Sequence, residues 1–116
     1  MALNAPSGYN PWQGAIRSYV TTRAELYYRV CGGRADPIGR WLTLNRPSSG
    51  SAAREELALP PENAATQCTE VWVPKGTRVQ VGVAAPNFGQ PGGGQQVELL
   101  ERIPVACYGT PQPLRP

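Results

Sequence analysis

The clearest chemical signal in the chain is the stretch Asn87-Phe88-Gly89-Gln90-Pro91-Gly92-Gly93-Gly94-Gln95-Gln96, which runs directly into a Val- and Leu-bearing segment. Consecutive glycines after a proline leave the backbone bare, so a ligand or another surface can approach it closely. A glutamine where a loop becomes a strand holds a neutral donor and acceptor at a fixed point. Gln96 is the first choice for that amide, with Gln90 and Gln95 as alternatives. Upstream lie Tyr28-Arg29-Val30-Cys31-Gly32-Gly33, then Gly39-Arg40-Trp41-Leu42-Thr43, then Arg54 shortly before Leu59-Pro60-Pro61. The forked donors of arginine suit phosphate groups, and Trp41 or Phe88 offers a planar face for stacking. Each feature also has a plainer reading. The glycines fit a flexible hairpin loop, Arg29 and Arg40 fit surface strand ends, and Trp41 fits a core position. Arg54 fits an ion pair on its own helix, although the adjacent Glu55 and Glu56 would not face it.

Absences narrow the chemistry further. The chain has no histidine, which removes Ser/His and Cys/His nucleophile pairs and the usual metal sites. Cys31, Cys68 and Cys107 stand 37 and 39 residues apart, without the close spacing of a zinc or redox motif. No metal site is expected, and at most one internal disulfide whose pairing the sequence does not choose. A net charge of +3 with no Lys/Arg run admits an anionic ligand but does not call for nucleic acid. No apolar stretch reaches the length of a membrane span, and the first residues lack a signal-peptide layout.

The elements that must position these residues are short. Thirteen Gly and thirteen Pro in 116 residues argue for tight turns rather than long helices. Three Trp, five Tyr and the Val-rich runs argue against disorder except at the ends. Residues 1–23 read as an extended N-terminal arm, 24–108 as one domain without internal repeat, and 109–116 as a loose Pro-rich tail. Strands are expected at Ala24–Val30, Arg40–Leu44, Cys68–Val73, Thr77–Val83 and Gln96–Leu100, the last extending through Ile103–Cys107. Cys31–Gly39 reads as a loop. Val71 and Val73, then Val79, Val81 and Val83, keep period two, and the two strands around Pro74-Lys75-Gly76 read as a hairpin. Ala52–Leu59 is the one helical stretch, stopped by Pro60-Pro61. The expected fold is mainly β, an α+β domain with little helix: a small twisted antiparallel sheet in two layers with one short helix.

Taken in this order, the segments from Tyr28 to Arg102 resemble the tuberculosis-necrotizing-toxin family of NAD glycohydrolases, related to toxins of the ADP-ribosyltransferase type. The family carries an Arg-aromatic-Gly stretch, a Gly-Arg-aromatic-Leu stretch, an Arg before Leu-Pro-Pro, and a Phe-Gly-x-Pro-Gly-x-Gly-x-Gln loop. The last is the most specific. The resemblance implies that Gln96 and Trp41 are catalytic and that Arg29, Arg54, Phe88, Arg40 and Gln90 bind substrate, with Arg29, Trp41, Arg54 and Gln96 expected to converge on one cleft beside the Phe88–Gly94 loop. It implies cleavage of NAD, with NADP as a further substrate, no cofactor, an immunity protein as partner, and secretion followed by delivery into a target cell. The best-known family member also uses a histidine, which this chain lacks. Breaking the nicotinamide–ribose bond expels a neutral amine through an oxocarbenium-like transition state, so no leaving group needs a proton. ADP-ribosyl transfer remains an alternative, because Glu98 shares a strand face with Gln96. So does a non-catalytic module that binds a nucleotide or a protein through the glycine loop.

Overall fold

A computed structural model describes residues 10–116. Its strands are β1 (Trp12–Val20), β2 (Glu25–Gly33), β3 (Trp41–Thr43), β4 (Asn63–Val73), β5 (Arg78–Ala84), β6 (Gln95–Leu99) and β7 (Gln112–Pro113), with helix α1 (Gly50–Leu57) between β3 and β4. They form one sheet in the order β1-β5-β6-β3-β2-β4-β7, with every pairing antiparallel.

Period-two apolar patterning sets the shape of this sheet. Tyr27, Leu42, Val71, Val73, Val79, Val81, Val97 and Leu99 form one buried cluster. Val71 and Val73 lie on β4, whereas Val79 and Val81 lie on β5, and β6, β3 and β2 separate those strands in the sheet. They share a cluster because the sheet curls over, bringing its two halves face to face as two layers. The expected hairpin is therefore not one: β4 and β5 follow each other in sequence but belong to opposite halves. Their corner is tied by Thr21 instead of by a ladder. Thr21 donates its hydroxyl to the Pro74 carbonyl at 2.6 Å and accepts from the Thr77 amide at 2.9 Å, while the Gly76 amide donates to the Thr21 carbonyl at 2.8 Å.

The outer face of the sheet carries the helix. Ser49 caps it by accepting from the Ala52 amide at 3.0 Å, so α1 starts at Gly50, ahead of the expected Ala52. It ends when Ala58 turns left-handed at φ 47° and donates its N–H to the Arg54 carbonyl, before the two prolines are reached. Ala53 packs with Val30 and Ala65 in a second cluster, against which Leu57, Leu59 and Leu114 lie.

Other boundaries also differ from expectation. The 1–23 arm contains β1, which pairs with β5, because its backbone groups complete the ladder at the otherwise open edge of β5; residues 1–9 lie outside the described region. β2 continues through Cys31 to Gly33 rather than giving way to a loop. β6 stops at Leu99, and Val105–Cys107 is a 3-10 turn, since Pro104 cannot donate to a ladder. The tail is partly docked: Gln112 and Pro113 pair with β4, and the Leu114 amide donates to the Thr66 carbonyl at 2.9 Å. Cys31, Cys68 and Cys107 are all free thiols. No helix among the described residues is long and apolar enough to cross a membrane.

Candidate active site

Gln96, the second residue of β6, lies on the outer face of the sheet. Residues directly opposite in antiparallel pairs share a face, which places Gly82, Gln96, Thr43 and Tyr28 in one row. Gln80, Glu98 and Trp41 form the next row. Gly82 is the residue that makes room here. A Cβ at Gly82 would stand 2.8 Å from the Trp12 ring, so Trp12 lies down on β5 and reaches Trp41, ring centroids 5.6 Å apart. Trp12 is 5 % exposed, and its indole N–H has no hydrogen-bond partner among the described residues. Gln96, 7 % exposed, donates its amide to the Pro11 carbonyl at 2.6 Å.

One place along β6, Glu98 is a buried carboxylate, 1 % exposed. It accepts from the Gln80 amide at 2.6 Å and pairs with Arg40 at 3.7 Å. A buried carboxylate needs such partners, since desolvation would otherwise outweigh its burial. The outer face of β6 thus carries a fixed amide, a fixed carboxylate and two indoles side by side.

The glycine loop closes this patch, and its glycines meet the chain itself. The Gly92 amide donates to the Glu55 carbonyl and the Gly94 amide to the Glu56 carbonyl, each at 2.8 Å, satisfying two of the open carbonyls at the end of α1. At Gly92, with φ +70°, a Cβ would lie 2.4 Å from the Ala84 carbonyl oxygen. The loop is a wedge between the helix end and β5, not a flexible hairpin tip. Beyond the wedge, Asn87 and Gln90 close a tight turn by exchanging backbone hydrogen bonds of 3.2 and 2.9 Å. Phe88 sits in that turn at φ 55°, a left-handed conformation that is unusual for a bulky residue.

The arginines are placed differently from the single cleft implied by the sequence. Arg29 is opposite Thr69 on β4 and one residue from Tyr28, so it points to the inner face, away from Gln96. Its guanidinium donates twice to the Asp36 carbonyl, at 3.1 and 3.0 Å, and once to the Trp41 carbonyl at 3.2 Å. Burial lowers its pKa, with Cys31, Tyr108 and Asp36 opposing that shift. Arg54 donates to the Ala64 carbonyl at 3.1 Å, binding α1 to the start of β4. Trp41, Gln96 and Arg40 are brought together; Arg29 and Arg54 are committed to backbone carbonyls elsewhere. Trp12 and Gln80 join the patch although sequence reasoning passed over them. The available signal was Gly82 inside a valine strand, since a strand glycine marks close approach.

Arg40 also borders a cavity of about 540 Å³ between residues 38–40 and the segment from Leu99 to Tyr108. The Tyr108 hydroxyl donates to the Gly39 carbonyl at 2.8 Å, and burial is the main cause of its raised pKa, so the phenol is neutral.

Comparison with known proteins bears on this arrangement. The family described as tuberculosis necrotizing toxin matches residues 46–109, a span that contains Arg54, the glycine loop, Gln96 and Glu98. The solved structure of Tne2 in complex with Tni2 is similar in fold, with a TM-score of 0.75 and 20 % identity over 91 % of this chain and 98 % of that one. No curated protein matches the chain.

Proposed function

The chain belongs to the tuberculosis necrotizing toxin family, and on that premise we propose that it is an NAD glycohydrolase. Water would add to C1′ of the nicotinamide ribose as the bond from C1′ to the nicotinamide nitrogen breaks. The products are ADP-ribose, neutral nicotinamide and one proton; NADP is proposed as a further substrate. Such a reaction asks the protein to hold the ribose, face a developing cation and admit one water.

The observation that carries this reading is the position of Gln96. Within the matched span, it stands at the mouth of the glycine wedge on a face that also holds Trp41 and the carboxylate of Glu98. In this reading the Gln96 amide holds ribose hydroxyls or the attacking water. Trp41 lies against the nicotinamide, and Phe88 flanks it from the turn. Arg40, already across from Glu98, has donors left for phosphate. Delivery as a secreted effector into a target cell, and restraint by an immunity-type protein, belong to the same proposal. The neighbour Tne2, solved with Tni2 bound, supports the idea of a protein partner.

One observation favours a second reading. Glu98, buried and held by Gln80, could direct an acceptor other than water, making the domain an ADP-ribosyltransferase. Incubation with NAD alone separates the two, because a glycohydrolase releases nicotinamide without any protein acceptor. The proposed site is tested by the same assay on Gln96→Ala and Gln90→Ala. Gln96→Ala is expected to lower kcat more than it raises KM, since the contact is made at the reacting ribose. A folded Gln96→Ala as active as the parent, beside an inactive Gln90→Ala, would assign the role to the other amide.

A further inference from the structure

We propose that the cavity beside Arg40 binds the adenylate half of the dinucleotide. The inference rests on the reading of Gln96 as the residue at the reacting ribose, and it assigns the far end of the substrate. Leu100, just past the end of β6, lies four residues beyond Gln96, roughly 13 Å at the usual strand rise. Arg40 spans the interval: it pairs with Glu98 at 3.7 Å and lines the cavity. A dinucleotide whose nicotinamide ribose lies at Gln96 therefore passes Arg40 with its pyrophosphate and reaches the cavity with its adenosine.

The cavity suits that occupant in size, surface and charge. About 540 Å³ falls within the range of small-molecule sites, which combine apolar walls with a few fixed polar groups. Ile38, Ile103 and Val105 supply the walls, and Tyr108 supplies a planar ring held in place by its bond to Gly39. Ile38 and Val105 are 47 % and 65 % exposed, apolar surface that a base would cover. The charge is that of an anion site. Glu101 is turned toward Arg78, accepting from its backbone amide at 2.8 Å and from its side chain at 3.3 Å. Arg102 forms no ion pair among the described residues, which leaves its fork for a phosphate.

The test uses the full chain, AMP, NAD and nicotinamide mononucleotide, which contains the same scissile bond but no adenylate. Arg102→Ala and Val105→Asp alter exposed side chains, so neither threatens the core. AMP is expected to compete with NAD, and both substitutions should raise its inhibition constant and the KM for NAD by about tenfold, Arg102→Ala by losing one charge-assisted contact and Val105→Asp by setting a carboxylate in the apolar wall against the anionic ligand. Cleavage of nicotinamide mononucleotide should be indifferent to both. The inference is overturned if AMP does not compete, if KM for NAD is unmoved, or if the mononucleotide suffers equally, which would place the nicotinamide end in the cavity. Should the parent release no nicotinamide from NAD, the glycohydrolase reading fails by itself, and calorimetric titration with AMP then decides the cavity alone. Binding that both substitutions weaken supports it, and absence of binding overturns it.

Discussion

Replacing Arg29 by alanine should unfold this protein more readily before it says anything about catalysis. The side chain makes three hydrogen bonds to two backbone carbonyls, those of Asp36 and Trp41. Hydrogen bonds from charged donors contribute about 1.5–3 kcal/mol when dry and about 1 kcal/mol when wet. The two to Asp36 are solvent-exposed, so the lower figure applies to them; with the part-buried bond to Trp41 at the higher figure, the total is about 3.5–5 kcal/mol. Against a usual net stability of roughly 5–15 kcal/mol, that is a large share. The loss would be local at first, because those bonds fix residues 36–41, including the start of β3. Arg29→Lys should recover only part of it, since one ammonium cannot fork across the carbonyl positions. Urea denaturation followed by far-UV circular dichroism measures the change, and nicotinamide release at low temperature measures activity of the folded fraction. The reasoning is refuted if Arg29→Ala keeps the parent's midpoint while KM for NAD rises steeply. That outcome would return Arg29 to the substrate-binding role implied by the family resemblance.

Gly82→Ala should disturb the indole pair, because the new methyl would meet the Trp12 ring at 2.8 Å; a cost of about 1–3 kcal/mol and altered near-UV dichroism are expected, and an unchanged spectrum would contradict the packing. Stability should be level near neutral pH and fall under alkaline conditions. Burial raises the pKa values of Cys31, Cys68, Tyr27 and Tyr108 in the folded state. Their contribution is therefore complete below the ordinary values of 9.0 for the thiols and 10.0 for the phenols and is lost as pH rises past them. Urea midpoints that climb between pH about 9 and about 11 would reverse that sign. A thiol reagent should find Cys107 first, since Cys31 and Cys68 are 0 % exposed, and should count three thiols once the chain is denatured. A count of one would mean a disulfide has formed.

Most of the sheet was legible because the alternating valines of β4 and β5 and the aromatic run of β2 leave little choice of conformation. What those patterns do not contain is which strand lies beside which. Val71-Trp72-Val73 and Val79-Gln80-Val81 read equally well as hairpin partners or as facing layers, and Thr21, 53 positions from Pro74, decides between them. The amide at Gln96 and the indole at Trp41 were legible as candidates because a loop-to-strand junction and an Arg-aromatic pair are local features. The commitments of Arg29 and Arg54 were not. A guanidinium that donates to a carbonyl looks the same in sequence as one that awaits a phosphate, and only the path of residues 33–41 and 60–65 distinguishes them.

The glycine wedge and the indoles together explain why Gln96 is so well covered, and the cover has a consequence for substrate. The segment Asn10–Trp12 lies across the start of β6, held by the Gln96 amide to the Pro11 carbonyl at 2.6 Å. The Ala85 amide donates to that same carbonyl at 3.1 Å, and the Asn87 side chain donates to the Asn10 carbonyl at 2.9 Å. For Gln96 to touch a ribose, Pro11 has to give up its amide. Three hydrogen bonds at about 1 kcal/mol each, with part of the Trp12 burial, put that opening at a few kcal/mol. Each 1.4 kcal/mol of it weakens apparent substrate affinity about tenfold. Freeing the segment also releases the Trp12 indole N–H, which has no hydrogen-bond partner among the described residues, a burial less favourable than its packing alone would indicate. The closed arrangement therefore sets the Trp12 indole N–H, without a partner among the described residues, beside the Gln96 amide, and a substrate that supplied an acceptor to that N–H would recover part of the opening cost.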